Sequence, residues 1–175
     1  MRLLHYNGDG NLNLTKFLEN DIPKYAILSH TWEEEEVTFD DLQKRIGTKK
    51  AGYAKIRFCG EQAERDGLQY FWVDTYCIDK SNSAKLVEAI NSMFRWYRMS
   101  TKCYVYLSDV SRTADNTDVM TLESASRKSR WFTRGWTLQE LIALTSVEFF
   151  CRESKRIDNK SSLEQQIYEI SGIPK

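Results

Sequence analysis

Residues 68–74 read LQYFWVD, a short apolar run that ends in a carboxylate. Three similar runs lie along the chain, YAILS at 25–29, KCYVYLSD at 102–109 and SVEFFC at 146–151. Each is almost continuously apolar, which is typical of strands covered on both faces of a parallel sheet. The four runs therefore predict four buried strands.

Helical patterns separate these runs. Residues 38–47 begin with Thr38 as a candidate N-cap and end at Gly47, and a longer helix is predicted over 51–66, ending at Gly67. Both predicted helices lie between the first and second strands, where a parallel pair needs a crossover connection.

Two further helices follow. Residues 84–99 carry apolar side chains at helical spacing, which predicts a face packed on the sheet. The last helix opens with Ser161 and Glu164 as a capping box and ends at Gly172. The apolar face of the first of these helices consists of Leu86, Ile90, Met93 and Tyr97.

The alternation of strands and helices predicts a small doubly wound α/β fold, with a mainly parallel sheet flanked by helices. One domain over 1–175 is expected from the length. The N-terminal segment predicts either a hairpin or an edge strand, or else NGDG at 7–10 is a plain turn. Residues 111–129 predict a long surface loop or a weak helix.

Charge excludes some partners. The chain has 25 basic and 25 acidic side chains, so no overall field favours nucleic acid or an anionic membrane. No apolar run approaches the roughly 18 residues of a membrane span, and no secretion signal is visible. These features predict a cytoplasmic protein without a membrane span.

The cysteines lack metal-ligand spacing. Cys59, Cys77, Cys103 and Cys151 are scattered, and none forms a CxxC pair. Three of the four lie in or beside predicted core elements, which favours free buried thiols in a reducing compartment.

Polar and aromatic side chains follow the predicted strands, at the sheet edge where ligands of open α/β sheets bind. Each such residue has a simpler interpretation as a cap or turn residue. Their concentration at one edge favours a binding site. The candidates are Ser29, His30 and Trp32 after the first strand, Asp74, Cys77 and Asp79 after the second, and Ser108 and Asp109 after the third.

Several familiar sites are missing or incomplete. No P-loop or complete dinucleotide-binding glycine motif occurs, and no GxSxG turn is present. Cys77 with His30 is a candidate catalytic pair, although a buried thiol is usually inert. Asp74 with Asp79 is a candidate magnesium site that would serve a phosphohydrolase, yet it lacks a third carboxylate.

The segment RGWTLQEL at 134–141 raises a different possibility. On a helix starting near Arg134, Trp136 and Glu140 share one face, opposite an apolar stripe of Leu138, Leu141 and Ile142. This predicts an exposed Glu140 beside an exposed aromatic surface of Trp131, Phe132 and Trp136. A ring for stacking, a carboxylate for hydroxyls and an arginine for phosphate would suit a nucleotide ligand. The alternative is a solvated glutamate beside a Trp that covers a loop or an interface.

The blocks AILSHTW, YFWVDTYCIDK, SMFRWYRMSTKCYVYLSDV and SRWFTRGWTLQEL, in this order, resemble the HET domain of fungal heterokaryon-incompatibility proteins. The resemblance covers nearly the whole chain and implies a trigger of programmed cell death. It is strongest to HET domains that precede a nucleotide-binding oligomerisation module and WD-repeats. It therefore implies a domain excised from such a protein.

HET domains are regarded as distant relatives of TIR domains, which implies a TIR-like, flavodoxin-like fold with family-specific insertions. RGWTLQEL is similar to the W-x-x-x-E helix of TIR domains, many of which hydrolyse NAD. The resemblance implies Glu140 as the catalytic residue, Trp136 as the motif Trp, and a substrate loop at 29–32. The acidic run that follows, 33–36, departs from a phosphate-binding loop.

The resemblance thus implies a NAD hydrolase that acts on oligomerisation, with NAD as substrate and no cofactor. Trp32 or Trp136 would stack on a ring and Arg134 would meet phosphate. The alternative is a non-enzymatic module that signals death through self-association.

Overall fold

The computed structural model describes residues 1–44, 46–112, 124–144, 146–162 and 168–169. Its strands are β1 Arg2–Tyr6, β2 Leu12–Lys16, β3 Tyr25–His30, β4 Tyr70–Trp72, β5 Lys102–Leu107, β6 Val147–Cys151 and β7 Arg156–Asn159. Its helices are α1 Phe39–Gln43, α2 Tyr53–Arg65, α3 Asp74–Cys77, α4 Ser83–Met99 and α5 Thr137–Ala143. Single 3₁₀ turns occur at Glu19–Asp21 and Arg130–Thr133.

The described strands form a mixed sheet in the order β2-β1-β4-β3-β5-β6-β7. The pairs β3/β4 and β5/β6 are parallel, whereas β1/β2, β1/β4 and β6/β7 are antiparallel. Within it, β4-β3-β5-β6 is the strand order of flavodoxin-like sheets. The predicted α/β class is confirmed. The sequence did not predict β7.

The chain divides into two compact units. The first contains Met1–Leu28 and Trp32–Thr101, and the second contains Ser29–Thr31 and the chain from Lys102 onward. The single domain expected over 1–175 stays a prediction.

A hairpin opens the first unit. Asn7 Oδ1 accepts the backbone N–H groups of Asp9 and Asn11, and Gly10 has φ 74°, a conformation that glycine adopts without steric cost. NGDG is therefore the turn of the β1/β2 hairpin, which settles the two alternatives left by the sequence.

Helix α2 packs tightly on the sheet of the first unit. It buries Ile56, Cys59 and Ala63, and a Cβ added at Gly60 would lie 2.6 Å from the Tyr6 ring and 3.0 Å from Phe71. Only the missing side chain allows this approach of helix to sheet, so Gly60 fixes the seating of α2.

The acidic run 33–36 has a structural role. The ammonium of Lys55, only 3 % exposed, lies 2.5 Å from Glu36 Oε1 and 3.4 Å from Glu33 Oε2. The Glu35 backbone carbonyl accepts the Gly52 N–H. The run is thus partly an anchor for α2, because a buried ammonium needs nearby carboxylates.

Helix α4 differs in part from its prediction. Asn82 caps its start through the Lys85 N–H, and Tyr97 is buried as expected. However, Ile90 is 41 % exposed, and Ala89 is buried instead. The helix is rotated relative to the predicted stripe, which places part of its apolar surface in solvent.

The second unit has its core between β5, β6 and a buried tryptophan. Val105 and Phe149 are opposite one another in the parallel register and are fully buried, and Trp131 packs edge-on against Phe149. All four cysteines of the chain are free and buried, which confirms that part of the prediction.

Some predictions fall outside the described residues. The helix expected from Ser161 to Gly172 is described only at its start and at 168–169. The long loop or weak helix expected at 111–129 is not described over 113–123, and residues 124–127 are helical. Within the described ranges, every helix is too short or too polar to cross a lipid bilayer.

Replacing Gly60 by Ala tests the seating of α2. Alanine favours a helix interior by about 1 kcal/mol, but the added Cβ meets Tyr6 and Phe71, and overpacking of this kind costs about 1–3 kcal/mol. We expect a lower free energy of unfolding in urea titrations. The control Glu64→Ala, on the exposed side of α2, should change it by no more than about 0.5 kcal/mol. A Gly60→Ala protein more stable than wild type would contradict this packing.

Candidate functional site

The candidate site residues divide between the two units. The second unit holds Ser29, His30, Arg134, Trp136 and Glu140, and the first holds Trp32, Asp74, Cys77 and Asp79. Each group is described separately.

Glu140 is the centre of a buried polar cluster. Arg134 donates Nη1 to Glu140 Oε2 and Nη2 to Oε1, both at 3.0 Å, in a bidentate pair. The Ser29 hydroxyl donates to Oε2 at 2.5 Å. Ser29 is fully buried and Glu140 is 2 % exposed, so both carboxylate oxygens have protein partners in place of water.

Trp131 is the fourth member of this cluster. Its Nε1 donates to Ser29 Oγ at 2.6 Å, and its backbone carbonyl accepts the Thr137 hydroxyl, also at 2.6 Å. The carbonyl also accepts the Arg134 N–H. Because these bonds tie the 3₁₀ turn to the start of α5, they fix Arg134 and Glu140 relative to the end of β3.

The exposure predicted for Glu140 is wrong. Helix α5 begins at Thr137 and not near Arg134, and Trp136 precedes it as the N-cap residue. Thr137, Glu140 and Leu141 are each 2 % exposed and lie on the buried side of α5, whereas Ile142, which the predicted apolar stripe placed in the core, is 58 % exposed. The bidentate arginine compensates the carboxylate charge, which is why a glutamate can occupy this core position.

The aromatic side chains of 131–136 also differ from one another. Trp131 is fully buried, Phe132 is half-buried against it, and Trp136 is 40 % exposed. Trp136 is thus the ring of this segment that solvent or a ligand can reach.

The cluster lies where the sheet topology favours a ligand. In open α/β sheets ligands bind at the carboxyl ends of the strands. Ser29 and His30 are the last residues of β3, and His30 is also buried. Arg134, with 20 % of its side chain exposed, covers Glu140 on the accessible side.

In the first unit, Trp32 and Asp74 are brought together. Trp32 Nε1 donates to Asp74 Oδ2 at 2.8 Å, and the Lys80 ammonium lies 3.5 Å from the Trp32 ring centroid. The Lys80 ammonium lies 3.8 Å from Asp74 Oδ2. Burial lowers the pKa of Lys80, and the negative charge of Asp74 partly offsets this by raising it. Since Trp32 is 54 % exposed, one face of this ring remains open to solvent.

Asp79 is engaged elsewhere. It accepts the Ser81 hydroxyl at 2.6 Å and the Lys85 ammonium at 3.3 Å, and the Ser81 hydrogen bond chiefly lowers its pKa. The part of the chain that the structure describes contains no group of three His, Cys, Asp or Glu side chains that could hold a metal ion. Asp74 and Asp79 each have a cation beside them already.

Cys77 lacks the character of a nucleophile. Its thiol is buried, accepts the Val73 N–H at 3.4 Å, and has its pKa raised to about 12 by burial. A catalytic thiol needs a lowered pKa, so this environment favours an inert side chain.

Two residues of the candidate site were not predicted as such from the sequence. Trp131 was assigned to an aromatic surface, and Lys80 was not considered. Arg134 and Glu140 are six residues apart, whereas neighbours on a helix surface are three or four apart. Helical periodicity therefore did not predict their contact. A Trp indole needs a partner when buried, which was the one available signal for Trp131.

Comparison with known proteins identifies the family. The family model described as "Heterokaryon incompatibility protein (HET)" matches residues 25–127. The chain is 58 % identical to "Vegetative incompatibility protein HET-E-1" of Podospora anserina over 180 aligned residues, which is 99 % of this chain and 13 % of that protein. The chain thus spans a small part of its relative's length. No solved structure gives a significant match.

Removing one partner of the buried pair should be costly. Arg134→Met leaves Glu140 buried without its cation, which we expect to cost about 3 kcal/mol of unfolding free energy. Combined with Glu140→Met, the loss should be smaller than the sum by about 0.5–3 kcal/mol. The control pair Lys44–Asp40, at 2.6 Å but exposed, should show a coupling of at most about 1 kcal/mol. Equal couplings would show that burial does not strengthen the Arg134–Glu140 pair.

The thiols offer a second test. Because burial raises the pKa of Cys77 to about 12, almost no thiolate exists at pH 8, and the other three cysteines are buried too. Iodoacetamide should leave the folded protein unlabelled and modify all four cysteines in 6 M guanidinium. Rapid labelling of Cys77 in the folded protein at pH 7 would instead indicate an activated thiol.

Proposed function

Because the chain belongs to the heterokaryon incompatibility protein (HET) family, we propose that it is a cell-death effector domain of vegetative incompatibility that cleaves NAD. In this proposal NAD is the substrate and no cofactor is needed. The domain would act within a longer protein, in which a nucleotide-binding oligomerisation module and repeats bring copies together. The free buried thiols suit the reducing cytoplasm as its location.

One observation carries the proposal. A glutamate that is 2 % exposed lies at the carboxyl end of β3 with a hydroxyl, an indole and a guanidinium around it. Burying a carboxylate costs free energy. A buried glutamate is therefore more easily explained at a site where it stabilises positive charge during a reaction. The W-x-x-x-E spacing of Trp136 and Glu140 is similar to that of NAD-cleaving TIR domains.

Arg134 connects binding to chemistry. In the free protein it holds both carboxylate oxygens at 3.0 Å and closes access to them. The pyrophosphate of NAD would compete for the same guanidinium, since arginine binds both groups bidentately. When Arg134 turns to phosphate, the Glu140 carboxylate becomes available for the ribose hydroxyls.

The reaction is a hydrolysis at the ribosyl carbon. The bond from C1′ to the pyridinium nitrogen breaks, and its electron pair stays with nicotinamide, which leaves neutral. Positive charge develops on the ribose, and Glu140 would stabilise it electrostatically. Water then forms the new bond to C1′ and releases a proton, which gives ADP-ribose.

Trp136 would position the substrate. Its ring is 40 % exposed and lies four residues before Glu140, so it can stack on a base without unfolding α5. The core tryptophan, Trp131, would only position Ser29.

A second candidate function is non-enzymatic death signalling through self-assembly. It is favoured by exposed apolar side chains on both units, among them Ile142 at 58 % and Val87 at 57 %. In that case Arg134–Glu140 would be a structural ion pair.

The purified domain, fused to a forced oligomeriser, tests the first candidate by chromatographic measurement of NAD and nicotinamide. We expect the wild type to consume NAD and Glu140→Gln to consume it at least about 100-fold more slowly. The matched control is Glu148→Gln, which removes a carboxylate 12 % exposed and 2.7 Å from Lys102 in the same unit. It should retain activity, and Trp136→Ala should raise KM about tenfold through lost stacking.

The outcomes separate the two candidates. Wild type that leaves NAD intact while still killing cells would reject NAD cleavage and favour assembly. Equal activity of the Glu140→Gln and wild-type proteins, with both folded by thermal melting, would reject Glu140 as the catalytic residue.

A further inference from the structure

A cavity of about 420 Å³ lies in the first unit, lined by residues of the β1/β2 hairpin and of α1, α2 and α3. Its volume is within the range of small-molecule sites, about 300–1,000 Å³. Tyr76 of α3 is buried and Tyr53 of α2 is half-buried. The lining residues Asn11, Asn13 and Thr48 are exposed. The cavity therefore has a buried aromatic end and an open polar end.

The hydroxyl of Tyr76 lacks a partner within the protein. The residue is 3 % exposed, and nothing in the described part of the chain hydrogen-bonds its hydroxyl. Burial raises the pKa of Tyr76 to about 12, with smaller contributions from Tyr53 and Asp41, so the hydroxyl keeps its proton at neutral pH and can donate as well as accept. Since nearly all buried polar groups are hydrogen-bonded, this hydroxyl indicates a partner that enters the cavity.

We propose that this cavity binds an uncharged purine nucleoside, of which adenosine is the simplest example. The proposal goes beyond the function proposed above and does not rest on NAD cleavage. Every residue that it uses belongs to the first unit, whereas Glu140 belongs to the second.

The lack of charge favours a nucleoside over a nucleotide. Among the described residues that line the cavity, none carries a charged side chain. The first N–H groups of α2, those of Tyr53, Ala54 and Lys55, already donate to backbone carbonyls of residues 50–52. Proteins bind phosphate through cations or through N–H groups at helix N-termini, and the described lining offers neither.

The polar side chains suit the edge of a purine. A carboxamide presents a donor beside an acceptor, which is the pattern that asparagine uses to bind N6 and N7 of adenine. Asn11 and Asn13 bring such groups to the open end. Asn7 contributes donors only, because its Oδ1 accepts the backbone N–H groups of Asp9 and Asn11.

The remaining lining suits the faces of the base and the sugar. Pockets that hold a single base cover its faces with aromatic and apolar side chains, and here Tyr53, Leu42 and Ile46 supply them. The hydroxyls of Thr48 and Tyr76 can exchange hydrogen bonds with ribose, since both donate and accept.

Calorimetric titration of the 175-residue protein with adenosine tests the site. We expect one site per chain, and binding at least about tenfold weaker in Tyr76→Phe, which removes one buried hydrogen bond to the ligand. Tyr53→Leu, which removes the ring, and Asn13→Ala, which removes an exposed carboxamide, should each weaken binding about tenfold. AMP should bind at least about tenfold more weakly than adenosine, because its phosphate must lose water without gaining a cation.

Tyr25→Phe is the matched control. Tyr25 is also a buried tyrosine of the first unit, but its hydroxyl donates to the Trp96 carbonyl. Without ligand, Tyr25→Phe should lower the midpoint of urea unfolding, whereas Tyr76→Phe should leave it unchanged or raise it, because no hydrogen bond within the described protein is lost. Tyr25→Phe should bind adenosine like wild type.

Four results would overturn the proposal. Wild type that binds no adenosine at millimolar concentration would reject this ligand class. Unchanged affinity in both Tyr76→Phe and Tyr53→Leu would place adenosine at another surface. Tighter binding of AMP than of adenosine would reject an uncharged ligand. A urea midpoint lowered as much by Tyr76→Phe as by Tyr25→Phe would show that the hydroxyl stabilises the fold and does not await a ligand.

Discussion

A carboxylate can be buried only where charge and hydrogen bonds replace its lost water. Glu140 meets this condition through two hydrogen bonds from Arg134 and one from Ser29. The end of β3, the 3₁₀ turn and α5 are all connected through this one group, although Ser29 and Glu140 are 111 residues apart.

The same interaction links stability to the proposed chemistry. A carboxylate held by a bidentate arginine is stable but covered, and one that stabilises a ribosyl cation has to be accessible. In the proposed mechanism an anionic ligand would resolve this conflict, because Arg134 would exchange the Glu140 carboxylate for a new charged partner. A domain of this kind would hold its catalytic group closed until substrate arrives.

Much of the fold could be predicted from the sequence, because buried parallel strands produce nearly continuous apolar runs. All four predicted runs contain strands, and Thr38 caps α1 as expected, through a capping box with Asp41. The strand β7 was missed because RIDN has no apolar pattern, and its pairing with β6 comes from tertiary context.

The candidate site was predicted less well. Ser29, Arg134 and Glu140 were named from the sequence, and the structure brings them together. Their geometry was not foreseen, because the predicted apolar stripe placed Ile142 in the core, whereas the buried side of α5 carries Thr137, Glu140 and Leu141. Trp131 was missed as a partner of Ser29, since a contact across 102 residues leaves no periodic signal. Trp32 was named as well. Its contacts to Asp74 and Lys80 join residues that are far apart in the chain, so no local sequence pattern predicts them.

The most direct test of the central claim is a crystal structure of the domain with ADP-ribose, the product of the proposed reaction. The account predicts that the pyrophosphate binds Arg134, that the Glu140 carboxylate has moved to the ribose hydroxyls, and that Ser29 keeps its bond to Trp131. Unchanged bidentate contact between Arg134 and Glu140, with ADP-ribose absent or bound elsewhere, would contradict it and leave the cluster as a structural ion pair.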